Sequence, residues 1–133
     1  MKNMKLHEKE GMIYDEECYR IRGALYEVYT ILGTGFSEEV YQEALEREFR
    51  LRNIPFEPQV PLQIIYKGER LRKPYKADLL CFGKIIIELK AVHSLLPEHE
   101  AQLINYLKVT KMRLGFLVNF CHFPKADIKT YAN

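Results

Sequence analysis

Asp78 precedes Glu88 by ten positions, and Lys90 follows Glu88 at i+2, all within segments that are otherwise strongly apolar. Charged groups set where the neighbouring residues demand burial need compensation. In Ile86-Ile87-Glu88-Leu89-Lys90 the period of two in a strand puts Glu88 and Lys90 on one face and Ile87 and Leu89 on the other. Whether Asp78 joins them depends on the turn between its strand and theirs. An odd turn such as Phe82-Gly83-Lys84 pairs Cys81 with Ile85 and sets Asp78 opposite Glu88. A two-residue turn sends Asp78 to the other face unless a bulge restores it. Two converging carboxylates repel each other unless a cation is present, and an all-oxygen pair suits Mg²⁺ or Mn²⁺, whereas zinc prefers nitrogen or sulfur. Lys90 could then orient a water or offset charge on a phosphate, while the metal acidifies that water and polarises the phosphoryl oxygen. The chemistry this combination favours is phosphodiester hydrolysis. The alternative for the same residues is a surface hairpin with a Glu/Lys ion pair.

The elements that must carry these residues are legible from periodicity. Tyr14, Cys18, Ile21, Leu25, Val28 and Leu32 recur at steps of three and four, the stripe of an amphipathic helix, which Gly33-Thr34-Gly35 ends. Ser37 with Glu38 and Glu39 reads as the start of a second helix. It runs to about Arg52 with a stripe of Val40, Tyr41, Ala44, Leu45 and Phe49. From Pro58 the alternation of Val60, Leu62, Ile64 and Tyr66 predicts one partly buried strand, with a turn at Lys67-Gly68-Glu69-Arg70. Tyr75 to Phe82 and Lys84 to Lys90 are strand-like, and Ile85-Ile86-Ile87 marks the sheet's centre. Pro97 opens a third helix ending near Thr110, with Ala101, Ile104, Leu107 and Lys111 along one side. Leu114 to Phe120 reads as a last strand, delivered by that crossover helix. The expected order is α-α-β-β-β-α-β, an α+β arrangement with a mixed sheet flanked by helices.

Composition bounds the partners. The 133 residues, 47% apolar and 29% charged, suffice for one core. Residues 1–13 read as a flexible segment, 14–123 as the domain and 124–133 as a C-terminal tail. With 20 Lys+Arg against 18 Asp+Glu the formal charge is +2, so the chain is not a bulk electrostatic binder and any nucleic-acid contact must be local. No apolar run is long enough for a membrane span, and Met1 to Glu10 is polar and charged. Cys18, Cys81 and Cys121 form no C-x-x-C pair, so a reducing, cytoplasmic setting is expected.

The supporting residues have structural readings of their own. Glu38 could be a first-turn acid favoured by the helix dipole, and Gln102 and Tyr106, four apart on one helical face, an ordinary helix edge. His93 and His99 are six apart, a spacing that does not stack two ligands on a helix. Arg47, Arg50, Arg52, Arg70, Arg72, Lys73 and Lys76 could form a phosphate-contacting stripe or a solvated face.

Asp78 with Glu88-Leu89-Lys90 resembles the signature of the PD-(D/E)xK nuclease superfamily, and the flanking pieces resemble its GxxExxY branch. Those pieces are Gly35-Phe36-Ser37-Glu38-Glu39-Val40-Tyr41, Leu95-Leu96-Pro97, His99-Glu100-Ala101-Gln102 through Tyr106-Leu107, and Leu117-Val118-Asn119-Phe120. Ala77 stands where the superfamily usually has its proline, and Cys121 where the branch commonly has glycine. The resemblance, from about Ile21 to Phe120, implies a restriction-endonuclease-like core and a Mg²⁺- or Mn²⁺-dependent nuclease; of the two nucleic acids, DNA is expected ahead of RNA. It implies Asp78 and Glu88 as metal ligands, Glu38 as a further acidic ligand or water-holder, and Lys90 as the catalytic lysine. Gln102 would support the site and Tyr106 approach the nucleic acid, as in the Q-x-x-x-Y motif of RecB-like nucleases. A homodimer would help so short a domain grip a duplex. Two alternatives stay open: a non-catalytic nucleic-acid- or protein-binding module on the same scaffold, and a structural or toxin-system partner whose acids only make salt bridges.

Overall fold

The computed structural model describes residues 4–5 and 13–133. Its elements are β1 (Met4–Lys5), α1 (Asp15–Leu32), α2 (Glu38–Leu51), β2 (Phe56–Leu62), β3 (Ile65–Tyr66), β4 (Glu69–Arg70), β5 (Tyr75–Cys81), β6 (Ile85–Lys90), α3 (Pro97–Thr110), β7 (Leu114–Asn119) and β8 (Asp127–Ala132). Six strands form one sheet in the order β1-β8-β7-β6-β5-β2, while β3 and β4 form a separate ribbon. The β6–β7 pair is parallel, joined by α3, and the other pairs of the large sheet are antiparallel.

The sheet separates two cores. Cys18, Ile21, Leu25 and Val28 of α1 and Tyr41, Leu45 and Phe49 of α2 pack with Leu79, Cys81, Ile85, Ile87 and Leu89 on one face. Leu103 and Leu107 of α3 cover Ile86, Leu117 and Tyr131 on the other. Ile85, Ile86 and Ile87 are all fully buried, as a central strand covered on both faces requires. Close approach of α3 depends on Gly115, where an added Cβ would stand 3.0 Å from a Leu103 methyl.

Several expectations need correction. Val40 is exposed, because the buried side of α2 runs through Tyr41, Leu45 and Phe49 alone. Ala101 is exposed too, and the α3 stripe is Leu103–Leu107. The single strand expected over Val60–Tyr66 ends at Leu62, and the chain then turns back in the β3–β4 ribbon through Lys67 and Gly68, both at positive φ. That pairing of left-handed residues matches a tight hairpin turn. Residues 124–133, expected as a tail, contain β8, whose alternation hides in Ile128, Thr130 and Ala132. Pairing with β7 and burial of Tyr131 and Ala132 hold it in the sheet. Of the soft segment expected at 1–13, residues 1–3 and 6–12 lie outside the described residues.

Candidate active site

The turn that decides the register is Phe82-Gly83-Lys84, with Phe82 and Gly83 at positive φ. Cys81 pairs with Ile85, Leu80 with Ile86 and Leu79 with Ile87. The odd count therefore sets Asp78 against Glu88, where backbone pairing stops and side chains take over. The Asp78 N–H donates to Glu88 Oε2 at 3.1 Å, and the Leu89 N–H donates to Asp78 Oδ2 at 2.8 Å. On its other side, pairing with β2 continues from Pro58–Leu79 to Val60–Ala77 but skips Gln59 opposite Asp78, Gln59 having φ 51°. The Asp78 carbonyl accepts instead from Gln42 Nε2 of α2 at 2.8 Å. Both backbone groups of Asp78 are thus held by side chains, which opens the sheet at the aspartate.

Burial and like charge act on the same pair. Burial first, then the charge of Asp78, pushes Glu88 up to about 7, against the bonds from the Tyr75 hydroxyl and the Asp78 amide and against the charge of Lys90. Burial also raises Asp78, and Glu38 adds to that, while the Leu89 amide and Lys90 oppose it. Lys90 is half-buried; its charge acts on both Asp78 and Glu88, and no ion pair within 4 Å joins it to another described residue.

Asp78 and Leu89 line a cleft of about 600 Å³ with Glu38, Glu39, Gln42, Glu43, Glu46 and Gln59. Glu38 thus shares a cavity with Asp78, and its Oε2 accepts from the Ala91 N–H at 3.4 Å, a long contact. The loop delivering Glu38 is fixed by Tyr41, whose hydroxyl donates to the Gly33 carbonyl and accepts from the Phe36 N–H at 3.4 Å, and whose ring stacks on Phe120 at 4.4 Å. Among the described residues no three His, Cys, Asp or Glu side chains are grouped to hold a metal. The oxygen donors are Asp78 and Glu88, each bonded to the other's strand, and Glu38, which lines the cleft with Asp78 and whose charge acts on it. Two acids, both oxygen donors and mutually repulsive, still fit a Mg²⁺-type ion, which takes one or two carboxylates and keeps several waters.

Gln102 Nε2 donates to the Tyr106 hydroxyl at 3.1 Å on the outer edge of α3. The Tyr106 ring stacks on Tyr75 at 3.5 Å between centroids, and the Tyr75 hydroxyl donates to Glu88 Oε2. Gln102 and Tyr106 therefore connect to the carboxylates through Tyr75, a residue that sequence reasoning had placed only as a strand start. Gln42, Gln59 and Asn119 were missed as well. Asn119 is fully buried, accepts from the Val92 and Cys121 amides and donates to the Val92 carbonyl, fixing the chain just after Lys90. A signal for Gln42 existed in its i+4 spacing from Glu38.

The model of the PD-(D/E)XK nuclease superfamily matches residues 15–131. The chain belongs to this superfamily. The crystal structure of SSO0001 is similar in fold, with a TM-score of 0.53 and 24% identity over 88% of this chain and 59% of that one. The chain thus spans under two thirds of SSO0001. No curated protein matches the chain. Nucleases of this superfamily usually use divalent metal ions. None of the described helices is long and apolar enough to cross a membrane.

Proposed function

We propose that the chain is a Mg²⁺- or Mn²⁺-dependent nuclease of the GxxExxY branch, hydrolysing phosphodiester bonds in DNA. The observation that carries this reading is the crossed pair of Asp78 and Glu88 where the β5–β6 ladder stops, with the charge of Lys90 acting on both. Asp78 and Glu88 would hold the ion, which when bound supplies an acidified water and a polarised phosphoryl oxygen. Glu38, which lines the same cleft as Asp78, would hold water by accepting its proton in a hydrogen bond. Lys90 would offset the charge gathering on the phosphate as the ester bond breaks. Tyr75 keeps Glu88 aimed and helps it ionise, since a hydroxyl bonded to a carboxylate favours the charged form. Gln102 supports that ring pair through Tyr106, and Tyr106 is the side chain set to meet the nucleic-acid strand. Gly35, Glu38 and Tyr41 support the branch assignment, because the tyrosine anchors the loop that places the glutamate.

The test is cleavage of labelled duplex DNA and of RNA by the purified full chain with Mg²⁺, with Mn²⁺ and with a chelator. The reading expects cation-dependent cleavage of DNA that Asp78→Asn abolishes. Cleavage that survives in Asp78→Asn, or its absence with either ion, would overturn it.

A further inference from the structure

The β3–β4 ribbon stands apart from both cores. All nine residues from Ile65 to Lys73 are exposed, including Tyr66 at 62%, Ile65 at 51% and Leu71 at 41%. Exposed apolar side chains gathered in so short a ribbon mark an interaction surface. The ten residues from Lys67 to Lys76 hold five cations, Lys67, Arg70, Arg72, Lys73 and Lys76, and one acid, Glu69, in a chain whose formal net charge is +2. None of the five makes an ion pair with another described residue. The cleft beside Asp78 has the opposite character, with four glutamates and an aspartate on its walls. A polyanionic substrate gains nothing electrostatic from those walls, so its grip must come from elsewhere on the chain.

We propose that the β3–β4 ribbon is a DNA-gripping arm, with Arg70, Arg72 and Lys73 on backbone phosphates and Tyr66 at the groove; this rests on the nuclease reading and extends it to duplex DNA. The shape selects the duplex. The major groove of B-form DNA admits a two-stranded β-ribbon, whereas that of A-form RNA is deep and too narrow for side chains to read. The reach is right as well. Asp78 follows Arg70 by eight positions, at most about 29 Å of chain, less than the roughly 34 Å of one duplex turn. Arm and catalytic opening can therefore engage one duplex together.

The experiment uses the full chain and the variant Arg70→Gln/Arg72→Gln/Lys73→Gln, with Arg72→Glu as a second variant that changes one exposed side chain. Binding to a labelled DNA duplex is followed by fluorescence anisotropy across a salt series without divalent ions. Hydrolysis of bis(4-nitrophenyl) phosphate, too small to span arm and cleft, is followed with Mn²⁺. The triple variant should bind duplex DNA at least about ten-fold more weakly, and its log–log salt slope should be shallower by about 2.7, the loss of three phosphate contacts. Arg72→Glu should weaken binding in the same direction, and both variants should hydrolyse the small diester like the wild type. Unchanged DNA affinity and slope in both variants, with the diester still hydrolysed by the wild type, would overturn the arm and leave the nuclease reading standing. Failure of the wild type to hydrolyse the diester or cleave DNA, with DNA binding still dependent on the arm, would overturn the nuclease reading instead. Equal loss of affinity for duplex RNA would overturn the assignment to the DNA groove.

Discussion

Asp78 and Glu88 each hold a backbone amide of the strand opposite: Glu88 Oε2 accepts the Asp78 N–H at 3.1 Å, and Asp78 Oδ2 accepts the Leu89 N–H at 2.8 Å. The bonds that would have zipped β5 to β6 are thereby made by two carboxylates. The ladder therefore ends at Leu79–Ile87, and the acids rather than the backbone hold the strands together beyond it. Each acid retains acceptor capacity, since an ionised carboxylate has roughly four lone-pair sites.

The acid pair should make the metal-free protein less stable as pH rises. Glu88 sits at about 7 in the fold against an ordinary 4.5, so between those values the folded chain binds more protons than the unfolded one. Its protonated form contributes stability that is fully present below about 4.5 and lost as pH climbs through 7, an effect of up to about 3 kcal/mol. Thermal melts of wild type and Glu88→Gln from about pH 5 to pH 8 check this. The difference between them should move against the wild type as pH rises, and saturating Mn²⁺ should restore the wild type at the upper end.

Tyr75→Phe keeps the ring on Tyr106 but removes the hydroxyl from Glu88. Without that donor the carboxylate is harder to ionise. The acid limb of the cleavage pH–rate profile should move upward, and stability should fall by about 1 kcal/mol. A profile that keeps its position would assign the hydroxyl no part in tuning the acid.

Lys90→Ala should cut cleavage by at least about a hundred-fold, the scale of losing one donor that stabilises developing charge. Because Lys90 makes no ion pair among the described residues but its charge eases both buried acids, the melting temperature of the metal-free variant should fall only modestly. A comparison of single-turnover rates with thermal melts separates the two effects. Lys90→Met, closer in length, should be equally inactive.

Tyr41→Phe should act through the loop. Its hydroxyl bonds Gly33 and Phe36, so the substitution should cost about 1–2 kcal/mol and loosen the placement of Glu38. Cleavage should fall modestly while duplex binding at the exposed ribbon stays the same, as steady-state rates and anisotropy would show.

Much of this was legible in the sequence because local patterns and burial agree. The α1 stripe and the isoleucine triplet are each fixed by a period that only one burial satisfies, and the odd turn Phe82-Gly83-Lys84 then sets Asp78 against Glu88. Tyr75 was hidden because its partner Tyr106 lies on α3, beyond β6, and no local spacing joins them. Gln42 and Gln59 serve Asp78 from two other elements, so their roles exist only after packing. β8 was missed because Ile128 and Ala132 are small signals beside lysine and aspartate, and its burial comes from β7. Ala101 and Val40 misled for the opposite reason: apolar type alone does not choose which edge of a helix faces the sheet.

The central claim is that Asp78 and Glu88 jointly hold one divalent ion, and calorimetric titration of Mn²⁺ into the wild type, Asp78→Asn and Glu88→Gln near pH 8 tests it most directly. The account predicts one site per wild-type chain and at least about a ten-fold loss of affinity in each variant. Wild-type affinity retained in both variants would contradict it.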